Sequence, residues 1–120
     1  MPARLLLVDD EAELAALLKK YLERLGYEVD SCVTPEAALA LFEKDPPRYS
    51  VVLTDLTLPG MTGAAMIDRM RALRPSLPAI ISSGYPYEPQ SKGVRFLQKP
   101  FLPKMLADVL EQMLKKPPTQ

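Results

Sequence analysis

The sequence contains no histidine and no tryptophan, and a single cysteine, in 120 residues. Without histidine there is no Ser-His-Asp or Cys-His catalysis, no His-ligated zinc and no phosphohistidine on this chain. Cys32 has no partner for a disulfide or a metal site, and its apolar-flanked position marks it as a small core residue. An excess of one charge is missing too, since 15 Lys and Arg balance 15 Asp and Glu. The scattered charges lack the basic patch that binding to nucleic acid or an anionic membrane demands. No apolar run approaches the ~20 residues of a membrane span and no signal-peptide pattern opens the chain, so the expected setting is the cytoplasm. Any chemistry must run on carboxylates, hydroxyls and lysine.

What is present is an ordinary globular composition, 48% hydrophobic and 25% charged, at a length that suits one domain over residues 1–120. Short apolar runs alternate with stretches of helical spacing. Arg4 to Val8, Tyr27 to Cys32, Val51 to Thr54, Pro78 to Ser82 and Val94 to Gln98 read as strands. Between them, Leu14, Leu17, Leu18, Tyr21, Leu22 and Leu25 recur at helical spacing, with Gly26 as the stop. Thr34-Pro35 starts a second helix whose buried face holds Ala38, Leu41 and Phe42. A third helix runs from about Gly63 to Arg74 with Met66, Ile67, Met70 and Leu73 inward. The last helix carries Leu102, Leu106, Val109, Leu110 and Met113 on one face, and residues 115–120 are expected to form a frayed tail or linker. Such alternation implies an α/β fold with a doubly wound parallel sheet and right-handed crossovers.

In such a sheet each strand delivers its last residues to one edge, where ligands and chemistry gather. The first strand brings Asp9 and Asp10, the third Asp55, the fourth Ser83 and the fifth Lys99. Three carboxylates within ~5 Å of one another repel by roughly 3 kcal/mol per pair at an effective dielectric near 20, so the group needs a counter-ion or a shared proton. Hard carboxylate oxygens suit Mg²⁺ or Mn²⁺, and Lys99 adds a fixed positive charge. A phosphoryl group at Asp55 would meet a cation, an ammonium and a hydroxyl, the parts that phosphoryl transfer requires. After Asp55, Pro59 and Gly60 turn the chain, and Gly63 is expected to give it freedom to enter the next helix.

Four motifs occur in order, each at a predicted strand end: Val8-Asp9-Asp10-Glu11, Asp55-x-x-Leu58-Pro59-x-Met61-x-Gly63, Ser83-Gly84 and Lys99-Pro100-Phe101. Together they resemble the receiver domain of response regulators, the phosphoacceptor module of two-component signalling, over nearly the whole chain. The resemblance implies a five-stranded, flavodoxin-like sheet of order 2-1-3-4-5. It implies that Asp55 takes a phosphoryl group from the phosphohistidine of a histidine kinase or histidine phosphotransfer protein. It further implies that Asp10, Asp55 and the backbone carbonyl of Thr57 bind Mg²⁺ directly, with Asp9 acting through water. Lys99 would pair with the phosphoryl oxygens ahead of a cis peptide to Pro100, and Ser83 would hydrogen-bond the phosphoryl group and draw its loop inward. Ser82 competes for that hydroxyl role; the motif favours Ser83, and strand alternation does not decide between them. Phe96 sits where the family's switch aromatic lies, with a plain core role as the alternative. Thr57 and Tyr85 resemble positions that tune the lifetime of the acyl phosphate, and a bulky Tyr85 would screen it from water. Such a domain assists its own phosphorylation and dephosphorylation but is otherwise not an enzyme.

One stretch departs from the family. Only fifteen residues separate Ser83 from Lys99, and Pro86, Pro89 and Gly93 interrupt them. With no apolar stripe and poor helix propensity, the helix usual there is expected to be shortened or missing. The resemblance places dimerisation and effector contacts on that face in many receivers, so a different output route is expected here. A fused sensor-kinase or effector domain and a weak homodimer are the further partners it implies. Ser83-Gly84-Tyr85-Pro86 is closer to receivers fused to hybrid sensor kinases than to those fused to DNA-binding domains. Three rivals remain. A flavodoxin-like electron carrier would need a phosphate loop where Asp9-Asp10-Glu11 stands. An aspartate-nucleophile phosphatase would need an acid where Thr57 stands. A receiver-like protein-binding module that is never phosphorylated would be expected to lack one of the acids or the lysine.

Overall fold

The computed structural model describes residues 3–114; the tail expected at 115–120 lies outside the described residues. Five parallel strands, β1 (Arg4–Val8), β2 (Glu28–Cys32), β3 (Val51–Asp55), β4 (Ala79–Ser83) and β5 (Val94–Gln98), form one sheet in the order β2-β1-β3-β4-β5. Four helices connect or follow them: α1 (Ala12–Arg24), α2 (Pro35–Lys44), α3 (Gly63–Leu73) and α4 (Pro103–Leu114).

The continuous apolar runs are explained by burial on both faces. Alternate residues of a strand point to opposite sides. Leu6, Val8 and Val52 therefore join Phe42 of α2 and Met66, Ile67 and Met70 of α3 in one core. Leu5, Leu7, Val51 and Leu53 join Leu18 and Leu22 of α1 and Leu106 and Leu110 of α4 in the other. Each buried leucine or isoleucine contributes about 1.5–3 kcal/mol. A sheet sandwiched in this way has little freedom to slide, since a one-residue slip would exchange its two faces.

Helix ends follow local chemistry. The Thr34 hydroxyl caps α2 by accepting from the Ala37 N–H at 3.2 Å, and Thr62 caps α3 by accepting from Ala65 N–H at 3.1 Å. Such caps are worth about 1 kcal/mol each.

Four apolar residues do not follow the helical pattern inward. Leu17 is 66% exposed because the buried stripe of α1 is Ala15, Leu18 and Leu22, and one residue along a helix turns a side chain by about 100°. Leu25 lies past the last turn of α1, Leu73 is the last residue of α3, and Leu102 precedes α4; all three are exposed.

Residues 84–93, between β4 and β5, form bends and a turn with no helix. The prolines and the missing apolar stripe account for this. The Tyr87 ring instead meets Phe96 of β5 edge-on, with centroids 6.2 Å apart. That contact covers part of the sheet face where a helix would lie.

Candidate functional site

The strand order reverses between β1 and β3, and the crevice outside the carboxyl ends of those strands is the natural ligand position in this topology. Val8 lies opposite Thr54, so the next residues on the two strands, Asp9 and Asp55, come side by side. Both are buried. β4 ends on Ser82 and Ser83, also buried, and β5 leads directly into Lys99.

These side chains converge. Lys99 Nζ lies 2.7 Å from Asp55 Oδ1, and Ser82 Oγ donates to the same oxygen at 3.0 Å. The ammonium is also 3.7 Å from Glu11 Oε1. One carboxylate oxygen from each of Asp9, Glu11 and Asp55 falls within 4.8 Å of the others. Asp9 Oδ1 accepts a hydrogen bond from Glu11 N–H at 2.9 Å, which turns the chain at the top of β1. The peptide between Lys99 and Pro100 is cis.

Asp10 is exposed and lies outside the group formed by Asp9, Glu11 and Asp55. Glu11 was not singled out from the sequence, although it adjoins the acid pair. Thr57 and Tyr85 are exposed and line an open cleft with Asp55, Ser82, Ser83, Gly84 and Lys99. Ser83 Oγ faces its own loop, accepting from Tyr85 N–H at 3.0 Å. Phe96 is half-buried against Tyr87. Among the described residues the one direct hydroxyl contact to the Asp55 carboxylate comes from Ser82, while the Thr54 hydroxyl donates to the Asp55 backbone carbonyl at 2.9 Å. Only the pairing of Asp55 with Ser82 across β3 and β4 reveals the Ser82 contact.

Gly63 sits where it does for a reason other than conformational freedom. Its φ is not in the left-handed region; that conformation belongs to Gly60, which makes the turn after Pro59 at φ +81°. A methyl on Gly63 would instead fall well inside van der Waals contact with the Asp55 carbonyl oxygen, and 3.0 Å from Thr54 Cγ2. Gly63 N–H donates to Leu56 O at 2.7 Å. The first turn of α3 thus rests directly on the backbone that carries Asp55.

The electrostatics are those of crowded acids around one cation. Three carboxylates against one ammonium leave two negative charges when all are ionised, and the donors are hard oxygens. That set fits a divalent cation such as Mg²⁺. Burial pushes the Asp9 carboxyl up to about 6; the hydrogen bond from Glu11 opposes this, Asp55 adds to it, and Lys99 partly offsets it. For Lys99, burial acts to lower the pKa, and its contacts with Asp55, with Asp9 and Glu11 behind it, win and raise it.

The Asp9 displacement has a consequence for stability. Between the ordinary carboxyl value of 3.8 and about 6, the folded chain holds a proton that the unfolded chain has released. Stability is therefore fully present below the lower value and falls as pH rises through that window. The loss amounts to about 3 kcal/mol by pH 7. Asp9→Asn keeps an acceptor for Glu11 N–H and removes the charge. In the absence of divalent cations it is expected to raise unfolding free energy at pH 7 by up to about 3 kcal/mol and to flatten the pH 4–6 slope. Urea unfolding across that range checks this; a variant no more stable than wild type at pH 7 would refute it.

Comparison with known proteins agrees with this geometry. Residues 5–111 match the response regulator receiver domain family. The response regulator receiver protein CpdR of Brucella abortus is 28% identical over 92% of this chain and 96% of its own length. The sensor kinase CckA of the same organism is 30% identical over 95% of this chain, but that covers only 13% of the kinase. Against the Arabidopsis thaliana two-component response regulator ARR14 the match spans 21% of the relative's length. Among solved structures, the receiver domain of the hybrid histidine kinase CckA superposes with a TM-score of 0.85 at 30% identity, covering 93% of this chain and 99% of that one. A CheY-like receiver from Methanospirillum hungatei gives 0.83 at 29%, covering 96% of each. With its four motifs meeting at one sheet edge and its whole described fold shared, this chain belongs to the response regulator receiver domain family.

Proposed function

We propose that the chain is a working phosphoacceptor in which Asp55 takes a phosphoryl group from the phosphohistidine of a histidine kinase or histidine phosphotransfer protein. The observation that carries this is the Lys99 ammonium 2.7 Å from Asp55 Oδ1, beside two further carboxylates at the carboxyl edge of the sheet. A carboxylate oxygen of Asp55 attacks phosphorus, an O–P bond forms, and the donor's N–P bond breaks with its electron pair staying on the imidazole, which then takes a proton. Lys99 neutralises charge on the transferring oxygens, and the hydroxyl of Ser83 becomes a donor to the phosphoryl group once its loop moves.

Asp10, Asp55 and the Thr57 carbonyl are the expected direct ligands of Mg²⁺, with Asp9 acting through water; Glu11 stands close enough to Asp9 and Asp55 to join them. A bound divalent cation supplies charge neutralisation for the phosphoryl oxygens and relieves repulsion among the acids. Tyr85 flanks the cleft, a position suited to tuning the lifetime of the product. Phe96 is the proposed switch aromatic, and its contact with Tyr87 routes any movement into the 84–93 loop rather than a helix. The reading puts the domain in the cytoplasm, opposite a separate or fused sensor kinase.

Intact mass after incubation with acetyl phosphate tests this. One phosphoryl group is expected in Mg²⁺ and none in chelator. No gain in Mg²⁺ from a folded protein would overturn the proposal and favour a binding module that is never phosphorylated.

A further inference from the structure

Ser82 and Ser83 are neighbours on β4 with different partners. Ser83 Oγ accepts from the N–H of Tyr85 in the loop, whereas Ser82 Oγ donates to Asp55. Ser82 lies directly opposite Asp55 in the β3–β4 register, and it is buried. The backbone around it is pinned, with Leu56 N–H donating to Ser82 O and Lys99 N–H to Ser83 O, both at 2.8 Å. Its hydroxyl is therefore a donor fixed to a central strand. The other donor to Asp55 Oδ1 stands at the end of a long flexible side chain that also reaches Glu11.

We propose that Ser82 is a positioning residue for phosphoryl transfer, one that sets the rotation of the Asp55 carboxylate so that the attacking oxygen meets phosphorus in line. The inference rests on the phosphoacceptor reading. The terminal torsion of an aspartate is broad and needs outside contacts to fix it. Lys99 cannot keep that task throughout the reaction, because an arriving phosphoryl group draws its ammonium away from Oδ1. Ser82 is neutral, carried by the sheet, and has no such competing pull. It holds the carboxylate while the O–P bond forms and the bond from phosphorus to the donor breaks, the leaving acetate or imidazole keeping the electron pair.

Removal of one well-placed hydrogen bond to a charged group, felt through orientation, is expected to slow phosphoryl gain about tenfold. The test measures initial rates of mass gain against acetyl phosphate concentration in Mg²⁺, for wild type, Ser82→Ala, Ser82→Thr and Asp55→Asn. Ser82→Ala should lower the maximal rate about tenfold and move the half-saturating concentration by less than twofold. Ser82→Thr, which restores the hydroxyl, should recover to within about threefold of wild type. Urea unfolding is measured alongside. Loss of one buried hydrogen bond to a charged group is expected to lower the midpoint of Ser82→Ala and leave it folded in the assay, so the split between maximal rate and half-saturation, and the threonine rescue, carry the test. A Ser82→Ala rate equal to wild type would overturn the inference, as would a Ser82→Thr defect as deep as that of alanine. Failure of wild type itself to gain a phosphoryl group would instead overturn the phosphoacceptor reading.

Discussion

Asp55→Asn is expected to gain no phosphoryl group from acetyl phosphate under conditions that load the wild type, while remaining folded. Asparagine has nearly the same shape, so Ser82 Oγ still finds an acceptor at the end of β3 and the β3–β4 pairing is untouched. What goes is the negative charge that makes the oxygen a nucleophile and holds the Lys99 ammonium at 2.7 Å. Two electrostatic changes oppose each other in stability. The ion pair with Lys99 is lost, and one of three mutually repelling acids is removed. At an effective dielectric near 20 the ion pair at 2.7 Å is worth roughly 6 kcal/mol and each of the two repulsions, with Asp9 and Glu11 within 4.8 Å, roughly 3 kcal/mol, so the two changes are of similar size. Unfolding free energy should stay within about 2 kcal/mol of wild type. Intact mass and urea unfolding read the two results separately. Phosphoryl gain by the asparagine variant would place the acceptor on Asp9, Asp10 or Glu11.

Gly63→Ala is expected to cost about 3 kcal/mol of stability and to slow phosphoryl gain on the order of a hundredfold. The added methyl meets the Asp55 carbonyl group, and backbone cannot rotate aside as a flexible side chain would. Overpacking of this kind costs about 1–3 kcal/mol, and the rigid neighbour puts this site at the upper end. Relief requires the start of α3 or the end of β3 to move. Either movement stretches the Gly63 N–H to Leu56 O bond and displaces the carboxylate, and about 1 Å of misplacement is enough for a hundredfold loss. Gly84→Ala is the control. No atom outside its chain neighbours lies within 4 Å of the position its methyl would take, so its stability should fall within about 0.5 kcal/mol of wild type. Equal behaviour of the two alanine variants would show that the close approach at Gly63 has no consequence.

The sequence by itself determined the order of strands and helices, because buried parallel strands must be continuous apolar runs and their helices must carry one apolar stripe. It also determined which edge holds Asp9, Asp55, Ser83 and Lys99, since each ends a predicted strand. Proline spacing between Ser83 and Lys99 was enough to remove a helix from the pattern, as the structure has it. The family was legible in four short motifs for the same reason: they sit where the fold puts chemistry.

Contacts between strands were beyond its reach. Helical spacing could not separate Leu17 from Leu18, because an apolar residue just outside the buried stripe looks the same in one dimension. Glu11 and Asp10 are adjacent in sequence, and both are exposed, but the turn made by Glu11 N–H donating to Asp9 Oδ1 brings only the Glu11 carboxylate within reach of Asp9 and Asp55. Gly63 was legible as a turn residue, but its real constraint is a backbone eight residues earlier pressed against it. The motif favoured Ser83 for the hydroxyl role, but that Ser82 is the one touching the Asp55 carboxylate was not legible until the β3–β4 register set Ser82 opposite Asp55, with Ser83 bonded to its own loop. A chain specifies its apolar pattern residue by residue, whereas a hydrogen bond between two strands depends on their register and twist, which the packing of the whole sheet decides.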